Sequence, residues 1–337
     1  LHHRYSLFVV AATMLIAATA ILSVTFGSTV IPAKQVFAAL RHAVFNDVAP
    51  PGPIYRIVVD LRLPRVILAI AVGAGLGVVG MMLQTVTRND LADPFLFGLS
   101  AGAAAGAVAV ITSVGDRLGA WTLPAAAFAG GMLATGIVLV LIRRAEGQGP
   151  DRLILAGLAV SFLFAALTNF LVFAGDQRAA NSVLFWTLGG LGLATWHNIG
   201  IGVMGAAVAL AFALFQHRRL DAFLGGEQTA ESLGVQVASL RMLTFVAASF
   251  ATALFVSVAG VIGFVGLMIP HLARPLAGPL HRRLTIASAF LGAWLLLASD
   301  LAARTLVPAQ ELPIGIVTSS LGAAFVVMLL LKRPGRG

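Results

Sequence analysis

Acid–base and metal chemistry begins with carboxylates, imidazoles and thiols, and this 337-residue sequence holds 13 of the first, seven of the second and none of the third. The absence of cysteine excludes disulfides, thiolate metal sites, iron–sulfur clusters and thiol redox chemistry. All the acids except Asp300 fall between apolar runs, and Asp300 lies near the outer end of one. Neither an H-E-x-x-H zinc motif nor paired-aspartate chemistry is encoded. Gly75-Leu76-Gly77-Val78-Val79-Gly80 fits the G-x-G-x-x-G spacing that cradles a dinucleotide. No strand precedes it and no acid follows at the required distance, so it reads as helix packing, with Gly73 and Gly77 on one small-residue face. Gly98-Leu99-Ser100-Ala101-Gly102 fits a nucleophile elbow without the strand-turn-helix context, and Gly98, Gly102 and Gly106 read instead as a close-packing ridge. His271 and His197 carry the ring nitrogens of a metal or haem ligand, but a single histidine near a span end is more often a hydrogen-bonded structural residue. Asn169 and Gln84 lie inside apolar runs, where an amide either bonds helix to helix or lines a substrate path.

These groups sit in a chain that is 59% hydrophobic and 10% charged, whereas soluble domains carry roughly a quarter charged residues. That excludes a water-soluble enzyme. A membrane-crossing helix needs about 20 apolar residues, and the apolar runs give ten candidate spans: 6–27, 65–87, 95–113, 121–142, 153–174, 198–215, 241–259, 262–272, 285–303 and 312–331. The first is too long for a signal-peptide core and shows no cleavage site, so it reads as a retained span. The eighth is too short to cross alone, which makes Gly260–His271 a half-helix completed by irregular backbone under a cover of protein or water. The expected fold class is an all-α polytopic membrane protein with about ten transmembrane helices, a single transmembrane domain over residues 1–337.

The formal charge is +9, from 22 bases and 13 acids, yet no basic face with interleaved aromatics marks a nucleic-acid site. The excess reads as topology. In an alternating ten-span chain 14 of the 22 bases fall on one side, which the positive-inside rule assigns, with both termini, to the cytoplasm. Residues 32–45 are amphipathic at helical spacing and should lie along the outer surface. Residues 218–236 form the largest cytoplasmic segment, broken at Gly225-Gly226 and Gly234, and should fold as two short helices joined by a glycine turn. The membrane interior lacks the ionisable groups that an ion-coupled transporter uses. Lys34 and Lys332 also lack the Gly-Lys-Ser/Thr context of a nucleotide-binding loop. A pathway without an engine implies an energising partner.

Leu61-Arg62-Leu63-Pro64-Arg65, Arg88-Asn89-Asp90-Leu91-Ala92-Asp93-Pro94, Gly263-Phe264-Val265-Gly266-Leu267 with Ile269-Pro270-His271, and Glu311-Leu312-Pro313-Ile314-Gly315 occur in this order. In this combination the chain resembles, over about residues 5–333, the permeases of bacterial ABC importers for iron–siderophore, haem and cobalamin. The resemblance implies a type II ABC importer permease fold in the bacterial inner membrane. It also implies a second copy of the chain, two ATPase subunits below, a periplasmic substrate-binding protein above and surrounding membrane lipid, with no nucleic acid. No cofactor is implied on this chain, ATP and magnesium belonging to the partner ATPase, and the chain itself is no enzyme.

Residue by residue, the resemblance implies that Arg62, Arg65 and Arg304 dock the binding protein as exposed outer-face charges. Leu224, Gly226, Glu227, Ala230, Leu233 and Gly234 match the pattern that inserts into a groove on each ATPase. Asn89 and Leu91 match a loop that closes the path on the cytoplasmic side, although Asp90 stands where relatives have Pro. Ala324 likewise replaces a common Pro, which implies a straighter last span. The implied mechanism is alternating access driven by the ATPases, and haem is the first expected substrate, since an apolar path suits a porphyrin and Arg178 offers a charge for its propionates. A ferric siderophore or cobalamin is the alternative within the family, and an ion-coupled secondary transporter the alternative from another class.

Overall fold

In hydrocarbon a backbone has no water to bond, and a helix closes its N–H groups onto its own carbonyls within one segment. The computed structural model describes residues 2–27, 29–45, 52–113, 119, 121–144, 150–175, 177–307 and 310–331, and every regular element among them is helical. In chain order these are α1 (His2–Thr25), α2 (Ala33–Phe45), α3 (Leu63–Thr87), α4 (Leu99–Ser113), α5 (Thr122–Arg144), α6 (Pro150–Ala174) and α7 (Gln177–Thr187). There follow α8 (Ile199–Ala222), α9 (Glu227–Ser232), α10 (Val237–Ala259), α11 (Val265–Ala277), α12 (His281–Thr305) and α13 (Ile314–Leu331).

Among the described residues eight helices are long and apolar enough to cross a membrane, and of the ten expected spans α4 and α11, at 15 and 13 residues, are the two that fall short of that length. Each of the ten expected segments has its helix, with corrections at the ends. A π-helical stretch, Arg56–Arg62, runs into α3 and makes one helix of 32 residues. The charged turn after residue 215 stays helical, so α8 continues to Ala222 before a short 3-10 turn and α9, in place of two separate loop helices. Between 174 and 198 the apolar pattern marks no element, and the structure places α7 there, because a short amphipathic helix carries too little hydropathy to register. The half-helix is present: residues 260–264 are irregular, Phe264 is left-handed at φ 66°, and α11 runs to Ala277, beyond the expected His271. The last span, with Ala324, is one uninterrupted helix.

The bundle is assembled around α3, whose apolar window is 89% buried. Its glycines let helices touch backbone to backbone. A Cβ on Gly73 would stand 2.3 Å from the Gly292 carbonyl of α12, and one on Gly77 2.6 Å from that of Ser288. At Gly80 the added carbon would sit only 1.9 Å from the Gly266 carbonyl at the start of α11. The apparent dinucleotide motif is thus a packing face. The apparent nucleophile elbow is another, since a Cβ on Gly102 or Gly106 of α4 would stand 2.5 or 2.1 Å from the carbonyl of Gly130 or Ala126 on α5. Helices α8, α10, α11 and α12 surround α3, α1 leans on α12, and α4, α5 and α6 form a second group.

Overpacking a tight contact costs about 1–3 kcal/mol. Gly80→Ala should therefore lower the thermal midpoint of the detergent-solubilised protein, whereas Gly136→Ala, whose added carbon meets nothing within 4 Å, should leave it unchanged or raise it. Equal midpoints for the two variants would contradict this packing.

Candidate functional site

Polar residues gather at the two ends of the bundle. At one end α9 is built by two glycines in the left-handed half of backbone space. Gly226, at φ 96°, starts the helix, and Gly234, at φ 81°, ends it. The end is a Schellman closure: Val235 N–H donates to the Ala230 carbonyl at 3.0 Å and Gly234 N–H to the Glu231 carbonyl at 2.9 Å. Below the helix Ala230 joins Val86, Leu220, Phe223, Val237 and Leu240 in a buried apolar knot. Above it Leu224 and Leu233 stand exposed, and Glu227 turns inward to an ion pair with Arg241 at 2.6 Å. All six residues expected to meet an ATPase therefore lie on one short, firmly seated platform.

The expected gate residues follow α3. Arg88 ends that helix in a left-handed conformation at φ 49°. Asn89 Oδ1 accepts the Leu91 N–H at 2.9 Å, a local turn that holds Leu91 outward and half exposed. Asp90, in the position of the missing proline, pairs with Arg274 of α11 at 2.8 Å. Asp93 then caps the 3-10 turn Pro94–Phe97 by accepting the Phe95 N–H at 3.0 Å. Burial pushes the Asp93 carboxyl up to about 6, against the lowering effect of that backbone donor.

At the opposite end the sequence expectation of exposed arginines is corrected. Arg62 and Arg304 are 6% and 4% exposed. The reason lies in α1, whose last carbonyls have no partners within the helix. Arg62 donates to the carbonyls of Val24 at 2.7 Å, Thr25 at 2.9 Å and Thr29, and Arg304 to those of Ser23 at 3.1 Å and Phe26 at 3.3 Å and to the Ser23 hydroxyl. Two guanidinium groups thus cap one helix. Asp300, fully buried, pairs with two arginines: Oδ1 meets Arg65 at 2.8 Å and Oδ2 meets Arg304 at 3.0 Å. Arg65 also pairs with the exposed Glu311 at 2.8 Å, so of the three arginines it is the one whose partner reaches solvent. Asp300 and Glu311 lie outside the expected site residues, although an acid four residues before Arg304 inside an apolar span is a legible ion-pair signal.

Between the ends a cavity of about 250 Å³ opens where the 3-10 turn, the end of α7, residues 261–264 and the start of α13 meet. Phe95, Leu96, Leu188, Val261, Phe264 and Leu267 give it an apolar wall, with Asp93, Thr187 and Ser319 the polar exceptions. Arg178 belongs to the first turn of α7, and its side chain lies outside the described residues. Gln84 bonds helix to helix, whereas Asn169 stands exposed on the outer face of α6 beside Phe162 and Phe170. The His271 ring packs edge-on against Phe325 at 5.4 Å, and among the described residues no three His, Asp or Glu side chains gather as metal ligands.

The chain has relatives over nearly its whole length. The model of the FecCD transport family matches residues 15–332. The cobalamin import system permease protein BtuC of Halobacterium salinarum is 40% identical over 83% of this chain and 74% of its own. The hemin transport system permease protein HmuU of Yersinia pestis is 37% identical over 88% of each. A solved inward-facing structure of a metal-chelate type ABC transporter superposes with a TM-score of 0.81 at 29% identity, covering 98% of this chain and all of that one.

Removing one partner from a buried charge network leaves the others uncompensated, at about 3–5 kcal/mol. Asp300→Asn should therefore destabilise the protein strongly, read as a lowered unfolding midpoint in detergent, while Glu311→Gln at the exposed edge should have a small effect. Asp93 gives a pH test of opposite kind. Its folded pKa is raised, so the folded chain binds more protons than the unfolded one between about 4 and 6, and stability falls as pH rises through that window by up to about 3 kcal/mol. Asp93→Asn should remove this slope, and a slope that survives the change would contradict the assignment.

Proposed function

The chain belongs to the FecCD transport family of ABC importer permeases, and from that premise we propose that it carries a large metal chelate, haem in the first instance, across the bacterial inner membrane. The observation that supports this most is the platform at Gly226–Gly234. An apolar knot holds it from below, while two leucines are left exposed above it, which suits a protein surface rather than solvent. In this reading each copy of the platform seats in one ATPase, and that end of the bundle faces the cytoplasm, as the distribution of bases favours. ATP binding and hydrolysis on the partner move the platform, the bundle tilts, and the path opens to alternate sides.

A second copy completes the path. The exposed face of α6, with the amide of Asn169 among Phe162 and Phe170, supports this, because a polar group is seldom left toward lipid. The opposite end receives the binding protein. There Arg65 offers the accessible edge of the charge cluster, while Arg62 and Arg304 shape the rim from beneath by holding α1. A wall of Phe, Leu and Val around the 250 Å³ cavity suits a rigid, largely apolar chelate that must pass without sticking. Cobalamin is the second reading, supported by the 40% identity to a relative named for its import.

The reading is tested by reconstituting the permease, its ATPase and its binding protein in liposomes and measuring uptake of haem, cyanocobalamin and a ferric hydroxamate with and without ATP. ATP-dependent uptake of haem, at least tenfold above the other two, is the expected result. Preference for cyanocobalamin would replace haem by the second reading, and uptake of none of the three would overturn the assignment to chelates.

A further inference from the structure

Three consecutive residues in the last turn of α3 are each gripped by a different helix. Gln84, 2% exposed, donates Nε2 to the carbonyls of Gly266 at 3.4 Å and Leu267 at 3.1 Å, and its Oε1 accepts from Arg274 at 3.1 Å, all on α11. The Thr85 hydroxyl lies 2.8 Å from Nε2 of His281, the first residue of α12. The other ring nitrogen and the backbone N–H of His281 both reach Asp221 Oδ1, near the end of α8, at 2.7 Å. The Val86 carbonyl accepts Arg241 Nε of α10 at 3.0 Å, and the same guanidinium continues to Glu227 of α9. His281 and Arg241 are 1% and 4% exposed.

The chain that carries the platform therefore enters through Asp221 and leaves through Arg241, and both ends are tied to Thr85 and Val86. Two residues later α3 breaks at Arg88 and the gate loop begins. That loop is tied back as well, since Asp90 pairs with Arg274, which also holds Gln84. Close-packed groups of this kind are poorly compressible and pass displacement on instead of absorbing it. Buried hydrogen bonds fix its direction, because breaking one leaves a desolvated partner. Resting on the importer reading, we propose that the last turn of α3, Gln84–Val86, is the transmission node that converts movement of the α9 platform into movement of the loop at Asn89–Leu91. Thr85, His281 and Arg241 are its positioning residues. They touch neither substrate nor nucleotide, and their work is to keep the platform and the loop in register.

A network of contacts becomes a coupling pathway only when its two ends are observed to move together. The experiment uses the full complex in liposomes, with spin labels at Gln228→Cys on the platform or at Leu91→Cys on the loop, in a chain that has no native cysteine. Distances between the labels of the two copies are measured with and without ATP, alongside substrate molecules taken up per ATP hydrolysed. Without further change, both distances should shift on adding ATP. With Thr85→Val or Arg241→Lys the platform distance should still shift, the loop shift should fall to half or less, and uptake per ATP should drop at least fivefold. Thr85→Ser, which keeps the hydroxyl, should restore both. An unaltered loop shift and uptake ratio in Thr85→Val would overturn the node while leaving the importer reading intact. So would hydrolysis and uptake falling in proportion alongside a lowered unfolding midpoint, since that marks a structural role alone. Absence of ATP-dependent uptake of all three chelates by the unsubstituted complex would overturn both the importer reading and the node.

Discussion

Backbone against backbone is the contact on which this bundle rests. At Gly73, Gly77 and Gly80 the neighbouring helices approach α3 so closely that a single methyl group has no room, and Gly292 reciprocates from α12 against the Gly73 carbonyl. In a bilayer, where lipid is as apolar as leucine, burying hydrophobic side chains gives helices little reason to prefer one another, and close packing of small residues supplies the preference. Two consequences follow for function. One continuous helix runs over the 32 residues from Arg56 to Thr87 through the bundle, and whatever holds its two ends controls where it points.

Both ends are held by guanidinium groups, in opposite ways. At the start of α3, Arg62 and Arg304 close the open carbonyls of α1, Asp300 pairs with Arg304 and Arg65, and of the three arginines Arg65 is the one whose partner, Glu311, reaches the surface. At the far end Arg241 and Arg274 each bridge α3 to a neighbouring segment, the α9 platform through Glu227 and the Asn89–Leu91 loop through Asp90. A chain with 10% charged residues thus concentrates several of its buried charges where helices begin or finish.

Much of the fold was legible because hydropathy reports long apolar helices directly, and the half-helix after Gly260 was legible from its length alone. The bounds of α9 are legible from the breaks at Gly225-Gly226 and Gly234, although the continuation of α8 to Ala222 is not, and Gly75–Gly80 is legible as packing because its context denies any other use. What hydropathy could not see was α7, short and amphipathic, and the π-helical start of α3, which carries Arg56, Asp60 and Arg62 inside a continuous helix. The burial of Arg62 and Arg304 is not legible in the sequence, for a definite reason. A charged residue at a span end normally reaches for water, but here the unpaired carbonyls of α1 lie closer, and no sequence pattern reports where another helix ends.

In the proposed function this chain supplies the path, and a separate ATPase attached at the α9 platform supplies the energy. That division is tested most directly by placing the purified permease alone in sealed vesicles, imposing a proton or sodium gradient, and measuring accumulation of labelled haem against the complete complex supplied with ATP and a protonophore. The account predicts no accumulation by the permease alone under either gradient, and undiminished uptake by the complex after the gradient is collapsed. Concentrative uptake by the permease alone would contradict it.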